Sequence, residues 1–346
     1  MAERIAIIFG GQSAEHEISI RSARSVINAL DEKRWKAVPI AISTSGQWLN
    51  ESYSTSILTS QNKLNHTHDV SVLESSLETL KDCFAAFPLI HGKTGEDGKL
   101  QGLLEMLNLT YTGSGVEASA LGMDKSLSKT IWQSKGLPIA RMVVLQKEKL
   151  QDSDQAIRAK VANEIGYPCY VKPSSGGSSI GITRVESEEN LVSAIDASLH
   201  WDDKVLIEEF IDGQEIECAI IGNSKPIAAS CLGEISPADD FYDYASKYSP
   251  DSKAKIFVPA RVKKDTANKI RKLAIDAYQA IGCEGFARVD FFVSKDEKII
   301  LSEINTIPGF TETSLFPRLW EESGISYSEL LTQILELALS KTKGVS

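Results

Sequence analysis

Runs of apolar residues that end in glycine and lead into helix-period sequence predict an α/β fold at the start of the chain. Residues 4–9 are dominated by Ile, Ala and Phe, which is typical of a strand buried on both faces of a parallel sheet. Gly10-Gly11 supplies a tight turn, and apolar positions at helical spacing predict a helix from about residue 18. Such a unit builds a ligand crevice at the carboxyl end of the strand. No G-x-G-x-x-G follows, so a dinucleotide fingerprint is not supported.

A second unit of the same kind follows further along. Residues 83–90 predict a buried strand, and His91–Gly98 forms a glycine-rich loop that leads into a helix running to about Leu107. A loop at a helix N-terminus offers backbone N–H groups to an anion, although its acidic residues also suit an ordinary helix start. Between the two units, residues 43–80 are polar and weakly periodic, and we expect a surface excursion.

The pattern changes after Met123, where we place the first domain boundary. A helix over Asp124–Lys135 ends at Gly136-Leu-Pro138. Residues 168–182 predict a strand, a flexible loop and a second strand, and the loop combines glycines with small hydroxyl side chains. Backbone N–H groups in such a loop can surround phosphate oxygens. It is not a Walker A loop, because no Gly-Lys-Ser/Thr ends it and no helix follows directly.

The rest of the chain predicts further strands, a lid and two helices. Residues 205–211 and 215–221 predict consecutive strands. The long loop 233–258 contains four aromatic residues within eight positions, which argues against disorder and favours a lid. Apolar positions at helical spacing predict helices at 264–281 and 326–340.

The segment Phe286–Gly309 predicts a β-hairpin with a polar turn. Side chains two apart on a strand share a face, so a turn centred between Asp296 and Glu297 brings four polar groups to one face. These four are Arg288, which lies opposite Asn305, and Asp290, which lies opposite Glu303. Two carboxylates and an amide oxygen suit Mg²⁺ beside phosphates, and an arginine can hold negative charge. A plain amphipathic hairpin is the alternative, but four convergent groups favour a site.

Composition narrows the function classes. The chain has 346 residues, enough for two or three domains. A net charge of −10 argues against nucleic-acid or anionic-membrane partners. Five scattered cysteines without a CxxC pair favour reduced thiols in the cytoplasm. The first residues contain too short an apolar run for a signal peptide, and no run is long enough to span a bilayer.

Several segments carry a family resemblance. Arg288-Val-Asp290 and Glu303-Ile-Asn305-Thr-Ile-Pro-Gly309 resemble the metal-binding hairpin of the ATP-grasp ligases, and most closely that of the D-alanine–D-alanine ligase family. Further segments that resemble this family are Gly10–Ser19, His91–Gly98, Tyr111–Gly115, Phe241–Tyr248 and Phe310–Leu315. They follow the family's order over nearly the whole chain.

The resemblance implies a mixed α/β (α+β) architecture of three domains. Residues 1–123 would form an N-terminal Rossmann-like parallel α/β domain that binds substrate. Residues 124–212 would form the central ATP-grasp domain with the glycine-rich loop, and residues 213–346 the C-terminal ATP-grasp domain with an ω-loop lid and the hairpin. The family also implies a cytoplasmic homodimer.

The implied reaction is the ATP-dependent ligation of two D-alanine molecules through an acylphosphate, for bacterial peptidoglycan synthesis. The implied cofactors are ATP and two Mg²⁺ ions, with Mn²⁺ as a substitute. Asp290, Glu303 and Asn305 would hold the metal. The implied catalytic residues are Glu15, Ser178, Tyr248, Arg288 and Gly309.

The resemblance also assigns binding residues. D-alanine would contact Glu15, His91, Lys247, Ser314 and Leu315. The nucleotide phosphates would contact Lys125, Lys172 and Lys247. Adenine would contact Glu208 and the backbone of Glu209, Phe210 and Ile211. The ribose would contact Glu215.

Three other functions stay open at this stage. A D-alanine–D-lactate ligase differs mainly at the lid, where ester-forming relatives tend to carry His in place of Tyr248. An ATP-grasp enzyme with another acceptor is disfavoured by the segments around Glu15 and His91. A non-catalytic nucleotide-binding regulator is disfavoured by the intact Arg288, because a pure binder does not need this arginine.

Overall fold

A computed structural model describes residues 2–59, 73–149, 154–178, 180–223, 226–236 and 255–342. The described strands form sheets of three, four and five strands surrounded by helices, so the chain has the predicted mixed α/β fold. Within these ranges, no helix is both long and apolar enough to cross a membrane.

The N-terminal sheet is parallel. Its strands are β1 (Glu3–Gly10), β2 (Trp35–Ile42) and β3 (Ala85–Pro88), in the order β2-β1-β3. Side chains 5–9 of β1 are completely buried, which accounts for the uninterrupted apolar sequence. The helices that accompany this sheet are α1 (His16–Ala29), α2 (Glu51–Thr59), α3 (Leu73–Lys81), α4 (Lys99–Met106) and α5 (Val116–Met123).

Two predictions for this region need correction. The helix expected from about residue 18 begins at His16, whose ring nitrogen Nδ1 lies 2.7 Å from the Gly11 carbonyl oxygen and draws the helix start towards the turn. The excursion expected at 43–80 contains α2 and α3. Ser54 is buried and ties α2 to β2 by accepting a hydrogen bond from the Ala41 N–H at 2.8 Å. A serine in this inward position weakens the apolar period on which the prediction depends.

The middle of the chain forms an antiparallel sheet. Its strands are β4 (Met142–Gln146), β5 (Cys169–Pro173), β6 (Thr183–Val185) and β7 (Lys204–Glu209), in the order β4-β7-β5-β6. Its helices are α6 (Lys125–Ser134), α7 (Asp154–Glu164) and α8 (Leu191–Leu199), with short 3-10 turns at Lys147–Lys149 and Glu188–Asn190. The Asp124 carboxylate caps α6 by accepting hydrogen bonds from the Ser126 and Leu127 N–H groups.

The C-terminal part forms the largest sheet. Its strands are β8 (Gly213–Ile221), β9 (Ala228–Ser236), β10 (Lys255–Phe257), β11 (Phe286–Ser294) and β12 (Ile299–Asn305), in the order β10-β9-β8-β11-β12. Its helices are α9 (Lys264–Ala280), α10 (Leu315–Glu322) and α11 (Tyr327–Thr342). The two ends of the loop expected at 233–258 belong instead to β9 and β10, which pair with each other, and the lid expected between them lies outside the described residues.

The two faces of this sheet have different roles. On one face, Phe291 and Leu301 pack against Ile270 and Tyr278 of α9. On the other face, Phe286 packs against the α10 region, and the remaining side chains face a cleft. The sheet therefore carries a structural face and a face available for chemistry.

The hairpin has the predicted register at the site but not at its turn. Arg288 pairs with Asn305 and Asp290 with Glu303, as expected. Next to the turn, however, Phe291 pairs with Leu301, so the turn is centred on Asp296 and not between residues 296 and 297. A β-bulge that contains Ser302 absorbs the difference. Leu301 thereby reaches the core while Glu303, two residues later, faces the cleft.

Candidate functional site

A cavity of about 430 Å³ opens where segments from all three sheets meet. The loop before α1, the segment after β3 and the loop after β5 face the five-stranded sheet across it. Nine of the residues singled out by sequence line this cavity. They are Glu15, His91, Ser178, Arg288, Glu303, Asn305, Gly309, Ser314 and Leu315.

The hairpin supplies a cluster of paired charges. The Arg288 guanidinium donates to both oxygens of Asp290, from Nε at 2.8 Å and from Nη2 at 2.7 Å. The amide of Asn305 donates to Asp290 Oδ2 at 3.2 Å. Burial alone would lower the pKa of Arg288, but Asp290 and Glu217 outweigh burial and raise this pKa well above its ordinary value. Arg288 is therefore a permanent cation at the cleft wall.

The donor set on this face fits a hard divalent cation. Asp290 and Glu303 are direct cross-strand partners, and Asn305 lies two residues beyond Glu303 on the same face. Within the described residues, no group of three His, Cys, Asp or Glu side chains is arranged to hold a metal ion. Two carboxylates and an amide are nevertheless the partial oxygen set with which Mg²⁺ is held beside phosphates, since water and phosphate oxygens supply its other ligands.

A second charged group lies between α6 and the hairpin. Lys125, at the first turn of α6, has its Nζ 3.3 Å from Glu303 Oε2 and donates to the Gly176 carbonyl at 2.5 Å. It therefore connects the glycine-rich loop to the hairpin. Its side chain is almost fully buried, so its ammonium is held in the cleft rather than in solvent.

The opposite wall of the cleft carries Glu15 and His91. Ser178 donates from Oγ to Glu15 Oε1 at 2.5 Å, which joins the glycine-rich loop to the start of α1. His91 is buried, and its ring contacts the Ile307 carbonyl at 2.9 Å and the Ser22 hydroxyl at 3.1 Å. Burial lowers the pKa of His91 despite the nearby charge of Glu15. His91 is therefore a neutral, fixed ring at neutral pH.

The segment after the hairpin ends the cleft. Ser314 precedes the first residue of α10, and its Oγ accepts a hydrogen bond from the Thr311 N–H at 3.0 Å. Leu315 opens the helix and is buried. A helix N-terminus offers unpaired backbone N–H groups to an anion such as a carboxylate. A Cβ on Gly309 would lie 2.8 Å from Ser314 Oγ, so the close approach at this point requires glycine.

A buried group of two lysines and one glutamate lies on the four-stranded sheet. Glu208 on β7 forms an ion pair with Lys129 at 2.7 Å and a second one with Lys172 on β5. Burial alone would raise the pKa of Glu208, but the two lysines lower it to about 2. The group carries one net positive charge, which suits an anionic ligand.

The remaining predicted nucleotide contacts lie at the end of β7 and the start of β8. Glu209 is engaged by Arg141, whose Nε donates to its Oε2 at 2.7 Å. The N–H of Glu209 donates to the Arg141 carbonyl and that of Phe210 to the Pro168 carbonyl. Ile211 and Glu215 are partly exposed at the adjoining edge. Lys247 and Tyr248 lie outside the described residues.

Sequence reasoning missed three charged residues here. Glu217 lies opposite Asp290 on β8, with its Oε2 3.0 Å from Arg288 Nε. Lys129 is one helical turn beyond Lys125, a spacing that could have placed it on the same face. Glu96 is half-buried, and it accepts hydrogen bonds from the Gly92 and Ile307 N–H groups. Its burial and nearby Glu15 raise its pKa to about 8.

Comparison with known families matches both halves of the chain. The family model "D-ala D-ala ligase N-terminus" matches residues 4–114, and "D-ala D-ala ligase C-terminus" matches residues 131–336. The chain is 40% identical to the D-alanine--D-alanine ligase of Geobacillus thermodenitrificans, which covers 99% of this chain and 96% of that protein. It is 39% identical to D-alanine--D-alanine ligase A of Escherichia coli K12, over 98% and 96%.

Solved structures agree with these matches. The D-alanine-D-alanine ligase from Coxiella burnetii superposes with a TM-score of 0.84 at 33% identity, covering 99% of this chain and 95% of that one. VanG D-Ala:D-Ser ligase from Enterococcus faecalis superposes with a TM-score of 0.84 at 31% identity, covering 98% and 100%.

Proposed function

The chain belongs to the D-alanine–D-alanine ligase family, and from this premise we propose that it joins two D-alanine molecules into the dipeptide used in peptidoglycan. ATP drives the reaction and is converted to ADP and phosphate. The observation that carries this proposal is the convergence of Arg288, Asp290, Glu303 and Asn305 on one hairpin face, across a cavity from Glu15 and His91.

The chemistry requires activation of a carboxylate. A carboxylate is a poor electrophile, so its oxygen first takes the γ-phosphoryl group of ATP and ADP is released. The amine nitrogen of the second D-alanine then attacks the acyl carbon. The tetrahedral intermediate collapses when its C–O bond to phosphate breaks, and the attacking nitrogen loses a proton. A divalent metal held by Asp290, Glu303 and Asn305 would neutralise phosphate charge.

The cleft residues receive roles that match their positions. Glu15 binds the ammonium of the first D-alanine, and its hydrogen bond with Ser178 fixes it at the rim of the glycine-rich loop. Arg288 and the Gly309 N–H face the oxyanion of the tetrahedral intermediate, where one such donor is typically worth ~10²–10³ in rate. The second D-alanine's carboxylate meets Ser314 and the N–H of Leu315 at the start of α10.

The nucleotide lies between the four-stranded and five-stranded sheets. Lys125 and Lys172 contact its phosphates. Lys125 lies 3.3 Å from Glu303 at the cavity wall, and Lys172 is nearly buried beside Glu208. Adenine contacts Glu208 and the backbone of residues 209–211, and Glu215 contacts the ribose. Of the backbone N–H groups at this edge, those of Glu209 and Phe210 already donate to protein carbonyls, so we assign the adenine donor role to Ile211.

Other parts of the proposal concern the lid and the whole protein. Lys247 and Tyr248 act from the lid that covers the cleft. Lys247 bridges phosphate and carboxylate, and Tyr248 extends the Glu15–Ser178 pair. We further propose three domains with boundaries at residues 123 and 212, Mg²⁺ or Mn²⁺ as the metal, a homodimer and a cytoplasmic location.

Phosphate release tests the substrate. The enzyme is incubated with ATP and Mg²⁺ together with D-alanine alone, L-alanine alone, or D-alanine plus D-lactate, between about pH 6 and 9. We expect release with D-alanine alone, rising towards alkaline pH because the attacking amine must be deprotonated. Release that requires D-lactate would assign the ester-forming activity instead, although the names of the relatives favour the dipeptide. No release with any acceptor would contradict the proposal.

A further inference from the structure

We propose that Glu217 is a positioning residue that keeps the Arg288 guanidinium at the cleft wall while Asp290 serves a metal ion. The inference deepens the proposed function and rests on it, since it assigns Asp290 to the metal and Arg288 to the reacting carbonyl. It concerns a strand, β8, on which the resemblance places only the ribose contact Glu215.

Three carboxylates form one row across three strands. Glu217 on β8 pairs with Asp290 on β11, and Asp290 pairs with Glu303 on β12. Cross-strand partners share a face and lie roughly 4.5–5.5 Å apart at Cβ, where like charges destabilise a sheet. Glu217 is only 3% exposed, so solvent does little to screen its charge. The row therefore requires cations from the protein or from a ligand.

Arg288 supplies the first cation and is held from both sides. Its Nε donates to Asp290 Oδ1 at 2.8 Å and lies 3.0 Å from Glu217 Oε2, while its Nη2 donates to Asp290 Oδ2. Among the described residues, Nη1 has no hydrogen-bond partner. Its two N–H groups, together with the second N–H of Nη2, are therefore donors that remain for a substrate oxygen. Asp290 thus holds the guanidinium by two hydrogen bonds, and Glu217 adds an ion pair at Nε.

Asp290 and Glu217 differ in the partners that they have besides Arg288. Asp290 faces Glu303 and receives the Asn305 amide, so it belongs to the proposed metal ligands. Glu217 lies on the far side of Asp290 from Glu303 and contacts the arginine. When Asp290 shares its charge with a metal ion, Glu217 is the anion that still balances Arg288. Without it, the guanidinium competes with the metal for Asp290.

The same sheet offers a matched control. Glu234 on β9 is 2% exposed and forms a two-oxygen ion pair with Arg261, with distances of 2.6 Å and 3.1 Å. It pairs with Ile216, whose side chain lies in the core against α9, so it belongs to the face opposite the cleft. Glu234→Gln therefore removes a buried carboxylate from a two-oxygen pair with the more exposed Arg261, without touching the cleft.

Three variants test whether Glu217 acts by positioning Arg288, by stabilising the sheet or only by its charge. They are Glu217→Gln, Glu217→Asp and Glu234→Gln. Mn²⁺ binding in the presence of ADP is followed by the EPR signal of the free ion, and kcat and the KM for ATP are measured separately. Partners that orient a metal ligand are typically worth ~10–100-fold in metal affinity or activity. We expect Glu217→Gln to lose this factor in Mn²⁺ affinity and in kcat, with the KM for ATP within about twofold.

The variants Glu217→Asp and Glu234→Gln identify the cause of any loss in Mn²⁺ affinity and kcat. Glu217→Asp keeps the charge but is one methylene too short to reach Arg288, so positioning predicts that it behaves like Glu217→Gln. Wild-type Mn²⁺ affinity and kcat in Glu217→Asp would overturn the inference in favour of charge alone. Equal losses in Glu217→Gln and Glu234→Gln would overturn it in favour of sheet stability. A wild-type enzyme that makes no dipeptide would instead defeat the proposed function, whereas the Mn²⁺ titration would still test the contact.

Discussion

Lys129 shows how single residues prepare the cleft for an anion. Its side chain is 1% exposed, and it lies beside Glu208, which also binds Lys172. Removing one member of a buried ion pair leaves an uncompensated charge. Lys129 thus remains paired with Glu208 if Lys172 turns to a nucleotide phosphate, as proposed, so no buried carboxylate is left without a partner.

Lys129→Met should weaken both stability and nucleotide binding. Loss of a buried ion-pair partner costs about 3–5 kcal/mol, and we expect the lower end because Lys172 remains. Lys172 then becomes the only partner of Glu208, so the KM for ATP should rise. Urea unfolding and ATP kinetics at neutral pH check both effects. Lys135→Met, on the exposed end of α6, is the control and should change stability by less than about 0.5 kcal/mol.

The same variant has a pH signature. In the wild type, the pKa of Glu208 is lowered from 4.5 to about 2. Glu208 therefore contributes stability above about pH 4.5, and this contribution is lost as the pH falls towards 2. In Lys129→Met the pKa of Glu208 moves back up, so less stability remains to be lost in acid. A difference between wild type and variant that is as large at about pH 3 as at pH 7 would contradict the assigned charge state.

The site residues differ in how far sequence could identify them. Arg288, Asp290, Glu303 and Asn305 were identifiable because period-2 alternation places residues of one strand on a common face. Glu217 was not, because only the pairing of β8 with β11 places it beside Asp290. A lone glutamate or lysine is most often a solvated surface residue, so nothing local marks Glu217, and only its helical spacing from Lys125 points to Lys129.

At the level of secondary-structure elements, α10 positions the groups that we propose bind the second substrate. The helix packs closely on β9, where a Cβ on Gly233 would lie 3.0 Å from both Leu315 Cδ2 and Leu319 Cδ2. Ser314 and Leu315 stand at the start of that helix. The position of Ser314 and Leu315, the proposed carboxylate-binding residues, therefore depends on the absence of a side chain on a neighbouring strand.

Gly233→Ala should displace α10 without disturbing the nucleotide site. Adding a methyl group to a packed contact typically costs about 1–3 kcal/mol, and part of this strain moves Ser314 and Leu315. We expect a raised KM for the second D-alanine and a nearly unchanged KM for ATP. Gly102→Ala is the control, because its nearest contact is an ordinary 3.8 Å. Equal changes in both KM values would contradict a local role for α10.

In the hairpin, the strand partners at the site are predicted correctly although the centre of the turn is predicted wrongly. A turn centred between residues 296 and 297 gives the observed partners of Arg288 and Asp290. The actual turn is centred on Asp296, and the bulge at Ser302 restores the register before Glu303. Bulges depend on twist and on packing of both faces. Turn residues alone could not reveal the bulge.

At the level of the whole molecule, the cleft exists only because three sheets face one another. Glu15 precedes α1, Ser178 follows β5 and Arg288 belongs to β11, yet all three line one cavity. Periodicity predicted the separate strands and helices, but it contains no information on how distant segments meet. Their common assignment to one site came from the family resemblance and not from spacing.

The most direct test of the proposed mechanism follows an oxygen atom through the reaction. D-alanine labelled with ¹⁸O in both carboxylate oxygens is incubated with enzyme, ATP and Mg²⁺, and the released phosphate is analysed by mass spectrometry. If a carboxylate oxygen takes the phosphoryl group and leaves with it, each phosphate carries one ¹⁸O atom and each dipeptide forms with one phosphate. Unlabelled phosphate alongside dipeptide would contradict the acylphosphate route and the roles assigned to Arg288 and Gly309.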